Sequence, residues 1–161
     1  MERLTTHELL DRIRADRRRF EAILARVPRD RLEAPLLPGG WSVKDVLAHI
    51  SWGEREAAGV VAARELVGSP LWNVSEDERN EAVVRESRPL TLDQVRREYE
   101  EAFDAYVTAV ASLSDQELND PDHIAGLAEE IPGWPPWRVL YDPTHYEEHG
   151  RTIEEHTIER S

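Results

Sequence analysis

The chain has 161 residues, no cysteine, and 33 acidic against 20 basic side chains, for a formal net charge of −13. That length suits a single domain over residues 1–161 with a core that needs no covalent staples, and the missing cysteines exclude disulfides, thiolate metal sites and a protein-borne thiol nucleophile. The negative field repels phosphate backbones and anionic lipid, no apolar run reaches the ~20 residues that span a bilayer, and the N-terminus lacks a signal-peptide pattern, so a cytoplasmic protein partnered by neither nucleic acid nor membrane is expected.

Thr5, with Glu8 as its capping-box partner, opens a helix over residues 5–27 whose stripe is Leu9, Leu10, Ile13, Phe20, Ile23, Leu24 and Val27, ended by Pro28. The arginines at positions 12, 14, 17, 18 and 19, interleaved with Asp11 and Asp16, read as its solvated face. Residues 28–41 are rich in proline and glycine and form a connector. Ser42 and Asp45 make a second capping box, and that helix runs to about Val67, before Gly68-Ser69-Pro70. A short helix from Ser75 to about Glu86 is expected before Pro89. Thr91 with Gln94 then starts a long helix whose apolar period, Leu92, Val95, Tyr99, Phe103, Tyr106, Val110 and Leu113, holds for about six turns.

Ser114 to Leu118 fits one further short turn, and residues 119–136, with four prolines and two glycines, form no regular element. The last helix has two readings: it starts at Pro136 and kinks at Pro143, or a first turn ends and the main helix begins near Pro143. No strand alternation is sustained. Four main helices with two long crossovers predict an all-α four-helix bundle.

The second helix carries an odd residue on its apolar side. Val46, Ile50, Gly53 and Ala57 recur at three- and four-residue steps, and His49 falls among them. A buried imidazole without a partner costs about 1–3 kcal/mol, so His49 needs either a core hydrogen bond or a metal ion. Near the far end His145 and His149 stand one helical turn apart, a spacing that points two rings at one centre. With His49 as the third ligand, two facing helices would supply three imidazoles and leave positions open, the pattern of a catalytic metal site. The motif is not that of a zincin, because Tyr146 stands where the glutamate would follow the first histidine. A helical pair facing solvent remains the alternative. His7, His123 and His156 do not join the site, His156 being about 10 Å along the helix from His149.

Trp52, Gly53 and Glu56 flank His49. A gap at Gly53 would admit a ligand or cofactor against a Trp52 wall, with Glu56 as proton carrier or orienter of a ligand. The alternative is helix packing at Gly53, a core Trp52 and a solvated Glu56. Tyr146, a second candidate catalytic group, and Trp134 and Trp137 adjoin the last helix and are candidates for the pocket mouth.

Gly40-Trp41-Ser42-Val43-Lys44-Asp45-Val46-Leu47-Ala48-His49-Ile50 resembles the second-helix signature of DinB/YfiT-like proteins, and Tyr141-Asp142-Pro143-Thr144-His145-Tyr146-Glu147-Glu148-His149 resembles their last-helix motif. The continuation Ser51-Trp52-Gly53-Glu54 looks more like the ClbS/DfsB branch. The resemblance implies a bundle with up-down-down-up-like connectivity, often a homodimer, holding a divalent metal (Zn, Ni, Mn or Fe) on three histidines that map onto His49, His145 and His149. It further implies thiol-dependent transferases and isomerases, and a resistance protein acting on a reactive electrophile. Two functions follow as expectations. One is a metal-dependent enzyme acting on an electrophilic small molecule by hydrolysis or by transfer from an exogenous low-molecular-weight thiol. The other is a metal-independent protein that binds and sequesters such a molecule without turnover.

Overall fold

A computed structural model describes residues 2–158. Four long helices form the bundle: α1 (Thr6–Leu24), α2 (Val43–Ala63), α4 (Leu92–Ala111) and α8 (His145–Thr157), with α3 (Glu76–Ser87) in the crossover between α2 and α4. The second crossover carries α5 (Asp115–Asn119), α6 (Leu127–Glu130) and α7 (Pro136–Leu140). No strand forms among the described residues; two isolated bridges, Leu37 with Trp41 and Glu65 with Ala125, tie loops together. Among the described residues no helix is long and apolar enough to cross a membrane.

The helix starts follow from local chemistry. The hydroxyls of Thr5, Ser42, Thr91 and Ser114 accept from the amides of Glu8, Asp45, Gln94 and Glu117, whose side chains return the bond. Ser75 supplies the hydroxyl half of the same motif to α3, accepting from Glu78 N–H. The helices then bury their stripes in two main clusters. At one end Phe20, Leu47, Ile50, Val95, Tyr99, Tyr146 and Ile153 pack together; at the other, Leu9, Ile13, Val61, Tyr106, Val110 and Trp137. Each such side chain contributes about 1.5–3 kcal/mol by leaving water. α2 packs along α4 and α1 along α8. Gly150 permits the second contact, since a Cβ there would lie 2.9 Å from Ile23 Cδ1.

Several boundaries differ from those the sequence predicts, each for a local reason. α1 stops at Leu24, because Arg26 and Val27 turn back to the carbonyls of Ile23 and Leu24 and tighten the last turn. α2 ends at Ala63 rather than near Val67. Arg64 takes a left-handed conformation (φ 55°), and the chain peels away to exchange hydrogen bonds with Ala125, through Leu66 N–H and Arg64 C=O. The stretch 119–136 is not wholly irregular, for α6 forms one turn behind Gly126, whose φ of 84° favours glycine. Of the two readings of the last helix, the second holds. α7 ends at Leu140, Tyr141 is extended, and α8 begins at His145, just past Pro143.

Candidate metal centre

α2 brings His49 and the first turn of α8 brings His145 and His149 to one point. Their ring centroids lie 4.7–5.4 Å apart, edge to face, and one nitrogen from each ring falls within 4.8 Å of the others. His49 Nε2 and His145 Nε2 are 3.3 Å apart. Two nitrogens bound at 2.0–2.1 Å to one tetrahedral ion stand about 3.3–3.4 Å apart, so the pair has the spacing that a shared metal demands. Trp41 packs edge-on against His49 at 5.7 Å and is itself held by its Nε1–H donating to Glu81.

All three imidazoles are held neutral. Burial, with His145 and Arg79 nearby, pushes His49 down to about 4. Burial, with the other two rings, pushes His149 down to about 3. His145 is also lowered by burial, against the opposing pull of Asp142 and Glu148. Neutral rings with converging lone pairs are the form that ligates, and among the described residues the buried Nδ1 of His49 has no hydrogen-bond partner that would turn the ring away. The donor set therefore fits a divalent ion with positions to spare.

The triad opens into a cleft of about 440 Å³ whose wall includes Trp52, Gly53, Glu54, Trp72, Arg79, Tyr106, Tyr141 and Tyr146. A Cβ added at Gly53 would meet nothing within 4 Å, so this glycine borders open space. Trp52 forms the wall with Trp72 beside it, ring centroids 5.1 Å apart. The guanidinium of Arg79 covers the Trp72 ring at 4.6 Å.

Glu56, the acid nominated by sequence, does not line this cleft. Its Oε2 accepts from Ser69 N–H at 3.0 Å and from Trp72 Nε1–H at 2.8 Å, so it anchors the loop that carries Trp72. Gly68 is what lets that loop come so close: a Cβ there would collide with Glu56 Oε2 and lie 2.8 Å from the Trp72 ring. Trp134 and Trp137 also lie away from the cleft, Trp134 under the Arg138 guanidinium and Trp137 in the core. His7 pairs with Asp11 at the surface, and His156 is exposed and bonded to Thr152 O.

Tyr146 lines the cleft, and its hydroxyl is engaged. It donates to Glu54 Oε1 and accepts from Arg17 Nη1 at 3.3 Å. Glu54 is buried, its carboxyl is pushed up to about 7 by that burial against the pull of Tyr146 and Arg17, and its Oε2 has no hydrogen-bond partner among the described residues. Arg17 is not on a solvated face, as the arginine run suggests, but only 5% exposed. Its guanidinium lies 3.6 Å from the Tyr99 ring centre and 4.2 Å from that of Phe103, and pairs with Glu21 (2.8 Å) and Glu100 (3.3 Å). A signal for both residues was present in the spacing. Arg17 sits four after Ile13 and three before Phe20, and Glu54 sits four after Ile50, so each falls on its helix's apolar stripe.

A family model described as the mycothiol maleylpyruvate isomerase N-terminal domain matches residues 13–140. That span includes His49 and Glu54 and ends before His145 and His149, so the convergence of the three rings rests on the geometry. No curated protein matches. A crystal structure of a protein from Streptococcus pneumoniae superimposes with a TM-score of 0.74 at 15% identity, covering 96% of this chain and 91% of that one; at that identity it speaks for the fold alone.

Proposed function

The chain belongs to the mycothiol maleylpyruvate isomerase N-terminal domain family of the DinB-like superfamily, and from that premise we propose that it is a metal-dependent enzyme acting on an electrophilic small molecule with a low-molecular-weight thiol or water as nucleophile. The observation that carries this reading is the convergence of three neutral imidazoles at the head of a cleft. Mycothiol, which the family's description names, is the first thiol to try. The ClbS/DfsB-like run Ser51–Glu54 supports a reactive electrophile as the other substrate.

His49, His145 and His149 would hold the ion, and the chemistry it would supply there is to lower the pKa of a thiol or water in the cleft, giving a nucleophile at neutral pH. Since the chain has no cysteine, the sulfur comes from the bound thiol. Trp52 and Trp72 offer apolar surface to the substrate body, and the space at Gly53 keeps the way to the triad open. Around these groups the cleft excludes part of the bulk water, which strengthens each polar contact made inside it.

The test is product formation by metal-loaded protein from mycothiol and a panel of electrophiles, with and without chelator. Turnover that the chelator abolishes supports the reading. Stabilisation by an electrophile that is indifferent to chelator, without product, would replace it by sequestration.

A further inference from the structure

The cleft has a metal-ligating end, and beside it a second group whose arrangement the triad does not explain. Glu54 stands five residues after His49 on α2, on the wall of the same cleft. One oxygen of its carboxyl is held by Tyr146, and the other is buried with no hydrogen-bond partner among the described residues. A buried carboxyl with an oxygen in hand is costly to keep unless that oxygen has work to do. Charged and phenolic groups face Glu54 from three other helices. α1 presents Arg17, with Nη1 at 3.9 Å, and Glu21 behind it; α4 presents Tyr99, Glu100 and Tyr106; α8 presents Tyr146.

We infer that Glu54 is the proton-exchanging group of the cleft, taking the proton of the attacking thiol or water and returning it to the product, with Tyr146 and Arg17 as its positioning residues. The inference rests on the reading of the cleft as a reaction site. In the step, the S–H bond of the thiol breaks, its electron pair stays on sulfur, and the proton forms an O–H bond on Glu54. As sulfur bonds to the electrophilic carbon, the electron pair of the bond that breaks at that carbon takes the proton back from Glu54, and the carboxylate is restored. Tyr146 fixes the orientation of one carboxyl oxygen and so leaves the other for exchange. Arg17 keeps the ionised form tolerable without ion-pairing it tightly, because Glu21 and Glu100 share its charge. A carboxyl titrating near neutrality is suited to giving and taking a proton at working pH.

Difference infrared spectroscopy on the full chain reads this directly. Between pH 5.5 and 8.5 the wild type should lose the C=O band of one protonated buried carboxyl with a midpoint near 7, and Glu54→Gln should lack that band. Tyr146→Phe, which removes a bond to the ionised form, should move the midpoint up by about one pH unit, which a merely space-filling tyrosine would not do. Repeating the titration on zinc-loaded wild type with 2-mercaptoethanol present should raise the midpoint of that band, because a thiolate beside Glu54 disfavours its ionised form. Absence of the titrating band, no response to the thiol, or loss of bound zinc in Glu54→Gln would overturn the inference. Zinc content of the wild type, measured on the same samples, judges the metal reading separately, and the pH titration reads Glu54 whether or not metal is bound.

Discussion

The phenol of Tyr146 donates its hydrogen to the carboxyl of Glu54, 92 positions away in the chain, and this bond joins α8 to α2 beside the three histidines. The first turn of α8 thus carries two jobs in adjacent residues. His145 points to the other imidazoles, and Tyr146 points into the acid and arginine network behind them.

The Glu54 carboxyl gives a stability prediction whose sign is fixed. Its folded pKa of about 7 lies above the ordinary 4.5, so folding favours the protonated form. Its contribution is fully present below about pH 4.5 and lost as pH rises through about 7. Glu54→Gln removes this dependence, so the variant gains on the wild type between pH 5 and 8.5, by about 1–3 kcal/mol in urea unfolding. A difference that does not change with pH contradicts it.

The imidazoles have the opposite sign. His149 is lowered from 6.5 to about 3, so in chelated protein the stability it allows is complete above 6.5 and declines as pH falls towards 3. His149→Phe should therefore lose less stability than the wild type between pH 6.5 and 4.5. Thermal unfolding of both proteins across that range checks it, and since Glu54 is present in each, its own contribution cancels. Parallel curves would show that the ring is not buried neutral.

Arg17 holds three carboxylates and two aromatic rings from inside the bundle. Arg17→Met should cost about 3–5 kcal/mol, because it leaves Glu54 facing Glu100 without the cation between them. The melting temperature should fall by on the order of 10 °C. Arg17→Lys should restore little of this, since an ammonium cannot lie flat between the Tyr99 and Phe103 rings while donating to Glu21.

Glu56 should matter for the cleft mouth and little for the fold. Glu56→Ala frees the Trp72 indole and the Ser69 amide from their acceptor. Acrylamide quenching of tryptophan fluorescence should rise while helical circular dichroism stays unchanged. Unchanged quenching would mean that Trp72 is held by Trp52 and Arg79 alone.

Much of this architecture is readable in the sequence, because helix starts and apolar stripes are local. Thr5, Ser42, Thr91 and Ser114 declare their helices through partners three residues on. His49, His145 and His149 are nominated by spacing and by the DinB-like motifs together. What local reading misses is set by tertiary contacts. The end of α2 is decided by a hydrogen bond to Ala125, sixty residues downstream, and Gly68-Ser69-Pro70 only looks like the stop. That Glu56 turns from the cleft to the Ser69–Trp72 loop is hidden for a similar reason. Glu54 and Glu56 both lie near His49 in sequence, but only Glu54 continues the stripe from Ile50, and only the packing of Trp72 shows what Glu56 is for. Arg17 looks solvated because its neighbours are arginines, while its own position is set by Ile13 and Phe20.

The central claim is that His49, His145 and His149 form one metal site, and elemental analysis of tag-free protein tests it most directly. The wild type should carry about one equivalent of Zn, Ni, Mn or Fe per chain, and His149→Ala should carry almost none while keeping its helical content. Wild-type protein that stays metal-free in the presence of these ions, with His149→Ala equally stable, would contradict it.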